Sequence, residues 1–86
     1  MNRAKKIRSY SAIFEPVKKG GYNVYFPDFP GCVTFGYSLT EAKAKAIEVL
    51  ELWLEELADQ HLEIPSKTLR PIITQINVTL PTTQHQ

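Results

Sequence analysis

Eight of the nine aromatic side chains lie between Tyr10 and Tyr37, and a Leu- and Glu-rich stretch follows them in the second half of the 86-residue chain. Aromatic and β-branched residues suit strands, whereas Leu, Glu, Lys and Ala suit helices, so the order reads as sheet first and helix second. Residues 8–15 alternate, with Tyr10, Ala12 and Phe14 facing one way and Ser11, Ile13 and Glu15 the other. That is the period-2 pattern of a half-buried strand, limited by Pro16. Lys18, Lys19, Gly20 and Gly21 supply charge and two residues tolerant of positive φ, which predicts a hairpin loop into a second strand at 22–26. Pro27-Asp28-Phe29-Pro30-Gly31 then interrupts pairing through two residues without backbone donors, and a third strand is expected at 32–37.

Ser38-Leu39-Thr40-Glu41 has the form of a capping box. The Ser38 hydroxyl can accept the Glu41 amide while the Glu41 carboxylate reaches back to Ser38. At 100° per residue, Leu39, Ala42, Ala46, Leu50, Trp53 and Leu57 fall within about 60° of one direction, a stripe suited to lying on the sheet. The helix is predicted to end near Asp59 or Gln60 after roughly 30 Å. Residues 72–80 alternate once more between Pro71 and Pro81, predicting a fourth strand, and residues 82–86 are expected to fray. The predicted fold is α+β in the order β-β-β-α-β, a four-stranded, mostly antiparallel sheet with one long helix on one face. Residues 1–86 are expected to form a single domain with a basic arm at 1–8.

A composition of 43% hydrophobic and 22% charged residues is globular rather than disordered. A chain this short buries only about 60% of its unfolded surface, so stability alone is expected to be marginal. The single cysteine, Cys32, excludes an intrachain disulfide, and His61 and His85 are the only histidines, so no zinc-type ligand set and no cofactor are expected. No apolar run approaches the ~20 residues that span a bilayer, and no signal core precedes residue 8, so a cytoplasmic protein is predicted.

Catalysis finds little support. The acids outside the helix are Glu15, Asp28 and Glu63, and a hairpin puts the first two at opposite ends, away from any shared metal or proton. Cys32 as a nucleophile lacks a base placed beside it and reads better as a buried structural thiol. No phosphate-cradling Gly-rich loop or nucleophile elbow is present.

The net charge of +1 argues against a strongly basic nucleic-acid binder, yet it hides an asymmetry. Arg3, Lys5, Lys6 and Arg8 precede the first strand, four of the ten basic side chains. Glu41, Glu48, Glu51, Glu55 and Asp59 share an arc of about 80° opposite the core stripe, with Leu52 beside them. Glu51, Glu55 and Asp59 stack like charges at i,i+4, costing about 0.2–0.5 kcal/mol per step. A helix needing only solubility would mix its signs, so either a basic partner docks there or the face is merely solvated. The Pro27–Gly31 loop allows two readings as well: Phe29 as a docking anchor with Asp28 as its charge, or a turn with Phe29 tucked under the helix.

Ser11-Ala-Ile-Phe-Glu-Pro16, Gly20-Gly-Tyr22, Phe26-Pro-Asp-Phe-Pro-Gly-Cys-Val-Thr34, Gly36 and Leu39-Thr-Glu-Ala42, followed by Leu-Glu-Leu-Trp-Leu in the helix, resemble the HicB antitoxin N-terminal domain. The likeness is most specific in the F-P-D-x-P-G-C segment and its distance to the helix start. The resemblance implies a partial, non-nucleolytic ribonuclease-H-like fold. It also implies a small HicA toxin partner that cleaves mRNA and is neutralised when its catalytic surface is covered. Many such proteins continue into a DNA-binding domain, and this sequence stops at Gln86, so promoter binding by this chain alone is not expected.

The function expected is therefore non-catalytic neutralisation of a HicA-like toxin, with Asp28, Phe29, Glu48, Glu51, Leu52, Glu55 and Asp59 as the docking residues. The alternative is nucleic-acid binding through Arg3, Lys5, Lys6 and Arg8 together with sheet aromatics. Uncovered sheet surface and edges predict a homodimer or homotetramer.

Overall fold

The structure is a computed structural model and describes residues 6–82. Three strands, β1 (Ile13–Pro16), β2 (Tyr22–Tyr25) and β3 (Val33–Gly36), form an antiparallel meander in the spatial order β1-β2-β3. Phe14 faces Val24, and Val24 faces Thr34. The β1–β2 loop closes as its glycines predict. Gly20 and Gly21 take φ of 108° and 89°, and the Gly20 amide donates to the Val17 carbonyl at 2.8 Å. The strands are shorter than their alternation suggests, but the alternation holds: Tyr10, Ala12, Phe14 and Tyr22 pack on a core of Val24, Phe26, Phe29, Cys32, Ala42 and Ala46.

The helix α1 (Leu39–Asp59) lies over β3 and β2. Ser38 caps it, its hydroxyl accepting the Glu41 amide at 3.0 Å. The Glu41 carboxylate reaches one residue further back than a capping box prescribes, accepting the Tyr37 amide at 2.6 Å. The two alanines at the start of the core stripe let the backbones approach. A Cβ on Gly36 would sit 2.5 Å from the Ala42 Cα, so only glycine fits there. Leu39, expected in the stripe, is 44% exposed, because it stands at the first helical position, before the helix has turned onto the sheet. Val49 and Leu54 join Leu50, Trp53 and Leu57 against the core instead.

A Schellman motif ends α1. The Leu62 amide donates to the Leu57 carbonyl and the His61 amide to Ala58, with His61 in the left-handed region at φ 57°. The chain then returns to the sheet and is strapped there. The Tyr10 hydroxyl donates to the Pro65 carbonyl at 2.6 Å, and the Ser11 amide to the Thr68 hydroxyl oxygen at 2.9 Å.

The expected fourth strand is not formed. Residues 72–80 belong to no ladder and are exposed throughout, so the sheet has three strands and is wholly antiparallel. Beyond the strap at Thr68 their apolar side chains reach no part of the core. Among the described residues no helix is long and apolar enough to cross a membrane. The outermost part of the expected frayed end, residues 83–86, and the start of the basic arm, residues 1–5, lie outside the described residues.

Candidate functional site

Because one side of α1 is committed to the sheet, the 3.6-residue period turns Glu48, Glu51, Leu52 and Glu55 outward together. With Glu41, Lys45 and Ile47 they line a shallow concavity of about 510 Å³. Four carboxylates and one lysine thus surround two aliphatic side chains, Ile47 and Leu52, that are 61% and 60% exposed. Asp59 is exposed on the last turn, outside the concavity. The last turn carries no basic residue that would offset the negative end of the helix dipole. Ile47 was not singled out from sequence, since it lies between the polar arc and the core stripe.

The Pro27–Gly31 loop is arranged for packing. Phe29 is 3% exposed and meets Tyr10 edge to face, with ring centroids 5.1 Å apart. It is therefore a core residue, and the expectation of an exposed docking anchor is corrected. Asp28 is half-buried and its carboxylate is engaged within the chain, accepting from the Thr68 hydroxyl at 2.6 Å and the Leu69 amide at 2.9 Å. It ties the segment after α1 to the sheet. Nothing near position 28 in the sequence signals this bond, because its partners lie about forty residues away.

Of the basic arm, Arg3 and Lys5 lie outside the described residues, whereas Lys6 and Arg8 are exposed. The Arg8 guanidinium donates to the Pro65 carbonyl at 3.3 Å. Both side chains rim a larger groove of about 700 Å³ between residues 6–14 and the Ile47, Leu50 and Leu54 side of α1.

Among the described residues, two titratable groups depart from their ordinary values. Cys32 is 1% exposed, and burial pushes its thiol up, away from the thiolate a nucleophile requires. The Tyr25 hydroxyl donates to Glu15 at 3.2 Å, and desolvation followed by the Glu15 charge push that phenol up as well. Glu15 pairs across from Asn23, whereas Asp28 sits beside Thr68, so the two carboxylates do not share a site. Among the described residues no three His, Cys, Asp or Glu side chains gather closely enough to hold a metal ion.

A short antiparallel meander under one helix, with an acidic outer face interrupted by exposed aliphatic side chains, defines a small α+β protein. The profile of the HicB-like antitoxins of bacterial toxin–antitoxin systems matches residues 10–78, and the chain belongs to that family. It is 32% identical over 76% of its length to a UPF0150 protein of Synechocystis sp., covering 82% of that protein. A UPF0150 protein of Thermotoga maritima is 42% identical over 70% of the chain and 79% of its own length. Antitoxin HicB 1 of Photorhabdus laumondii is 38% identical over 65% of the chain, but the match spans only 36% of that longer protein. No solved structure matches the chain significantly.

Proposed function

We propose that this chain is a non-catalytic antitoxin that neutralises an mRNA-cleaving HicA-type toxin by docking the outer face of α1 on the toxin's RNA-binding surface. A surface that binds RNA must present cations to phosphates. The observation that carries the proposal is the set Glu48, Glu51 and Glu55 around exposed Leu52 and Ile47. Carboxylates there would replace the phosphates and steer the encounter, while the two aliphatic side chains supply the dry centre that a lasting contact needs. Asp59 extends the field by one turn. Asp28 and Phe29 contribute by holding the sheet and the strap in place, not by touching the toxin.

The test is titration of this chain into a purified HicA-type toxin, read by calorimetry and by protection of an RNA substrate. Glu48→Lys/Glu51→Lys/Glu55→Lys is expected to weaken binding at least a hundredfold, and Leu52→Asp about tenfold, with the circular dichroism of the free chain unchanged. Unaltered affinity in the triple variant would remove the helix face from the mechanism. RNA binding by the free chain with a steep salt dependence, lost on removing residues 1–6, would instead favour the basic arm.

A further inference from the structure

The apolar segment after the strap and the apolar groove beside β1 are both left open within one chain. Residues 72–80 contain no charged residue and no proline. Their Ile72, Ile76, Val78 and Leu80 side chains are 90, 79, 71 and 57% exposed and share one face of an extended segment. An uncharged, β-branched segment of this kind aggregates unless something covers it. Meanwhile β1 is a sheet edge, and α1 leaves its inner side open because the helix lies over β3 and β2. There Ala12, Phe14, Phe26, Ile47, Leu50 and Leu54 line the groove of about 700 Å³.

We infer that residues 72–80 of one copy fill the groove along β1 of a second copy, each chain supplying in trans the fourth strand that the other's sheet lacks. The strap points to exchange between copies. Thr68 and Leu69 are pinned to Asp28 and Ser11, and beyond that root residues 72–80 line neither the groove nor the core, in a molecule 70 Å long on one axis and 26 Å across. An identical segment and groove on both copies close the exchange as a two-fold dimer and leave no further site open. The area suffices. Nine extended residues of about 1,000 Da expose roughly 1,450 Å². Burying a third of that on each copy, against equal groove area, reaches the roughly 1,200–2,000 Å² of specific interfaces. Glu48, Leu52 and Glu55 of the acidic face line no part of this groove, whereas Ile47 and Glu51 border both surfaces; the inference itself rests on no contact with a toxin.

Light scattering on the full chain is expected to give twice the chain mass, and Ile76→Asp/Val78→Asp, at positions already exposed, the mass of one chain. A mixture of Ile47→Cys chains and differently tagged Val78→Cys chains is expected to give, on mild oxidation, a disulfide-linked species carrying both tags. A monomeric full chain would overturn the inference, as would a dimer indifferent to Ile76→Asp/Val78→Asp. A link formed only within a chain carrying both cysteines would show the segment folding back on its own groove, and would also overturn it.

Discussion

His61 occupies a conformation that favours glycine. It is the left-handed residue of the Schellman motif, where a Cβ costs energy that glycine avoids. Its side chain is exposed, so little packing is lost on truncation. His61→Gly is expected to raise the urea unfolding midpoint by the equivalent of about 0.5–1 kcal/mol. Cys32 makes a prediction of a different kind. Burial raises its thiol above the ordinary value of 9.0, so the folded state holds the proton more tightly than the unfolded chain does. The contribution is fully present below the unfolded-state value and is lost as pH rises through and beyond it. Urea midpoints measured from pH 7 to 10 should fall at the alkaline end, and less steeply for Cys32→Ala, which retains the slope of the same sign from Tyr25. The thiol should resist an aromatic disulfide reagent until the chain unfolds.

At the scale of elements, α1 carries a conflict between its own stability and its outward chemistry. Glu51, Glu55 and Asp59 repel one another at i,i+4, and a lysine in the middle would turn both repulsions into attractions. Glu55→Lys is expected to stabilise the free chain by about 0.5–1 kcal/mol in thermal unfolding, yet to weaken toxin binding in calorimetry. Opposite signs in the two measurements would mark the acidic face as kept for docking, and equal signs would mark it as merely solvated. This helix was legible in the sequence because its determinants are local: a capping serine, a 3.6-residue stripe and two alanines where the sheet approaches. The meander was legible for the same reason, through two glycines and a period-2 pattern. For Phe29 the sequence left docking anchor and tucked turn residue both open, and for Asp28 it gave no sign of its internal bonds, because their partners are distant, Tyr10 in one case and Thr68 with Leu69 in the other. Residues 72–80 were read correctly as an alternating apolar segment and wrongly as a strand of their own sheet, since alternation specifies an extended segment with a buried face but not the chain that buries it.

At the scale of the whole molecule, the dimensions exceed those of a compact chain. The radius of gyration is 17.9 Å, against about 12 Å for a compact chain of this length. Residues 72–80, exposed throughout, are part of that excess, and their burial in a second copy, as proposed, ties folding to association. Unfolding then releases two chains, and stability depends on their concentration by mass action. For a domain of this size, each tenfold increase in chain concentration is expected to raise Tm by roughly 3–6 °C. Calorimetric scans over two decades of concentration read this directly. Ile76→Asp/Val78→Asp should unfold at a lower Tm that no longer moves with concentration, because the variant has only its own thin core of Val24, Phe26, Phe29, Cys32, Ala42 and Ala46 to lose. A concentration-independent Tm in the unaltered chain would mean that this core is sufficient alone, and the exposed segment would then have to be covered by something other than a second copy.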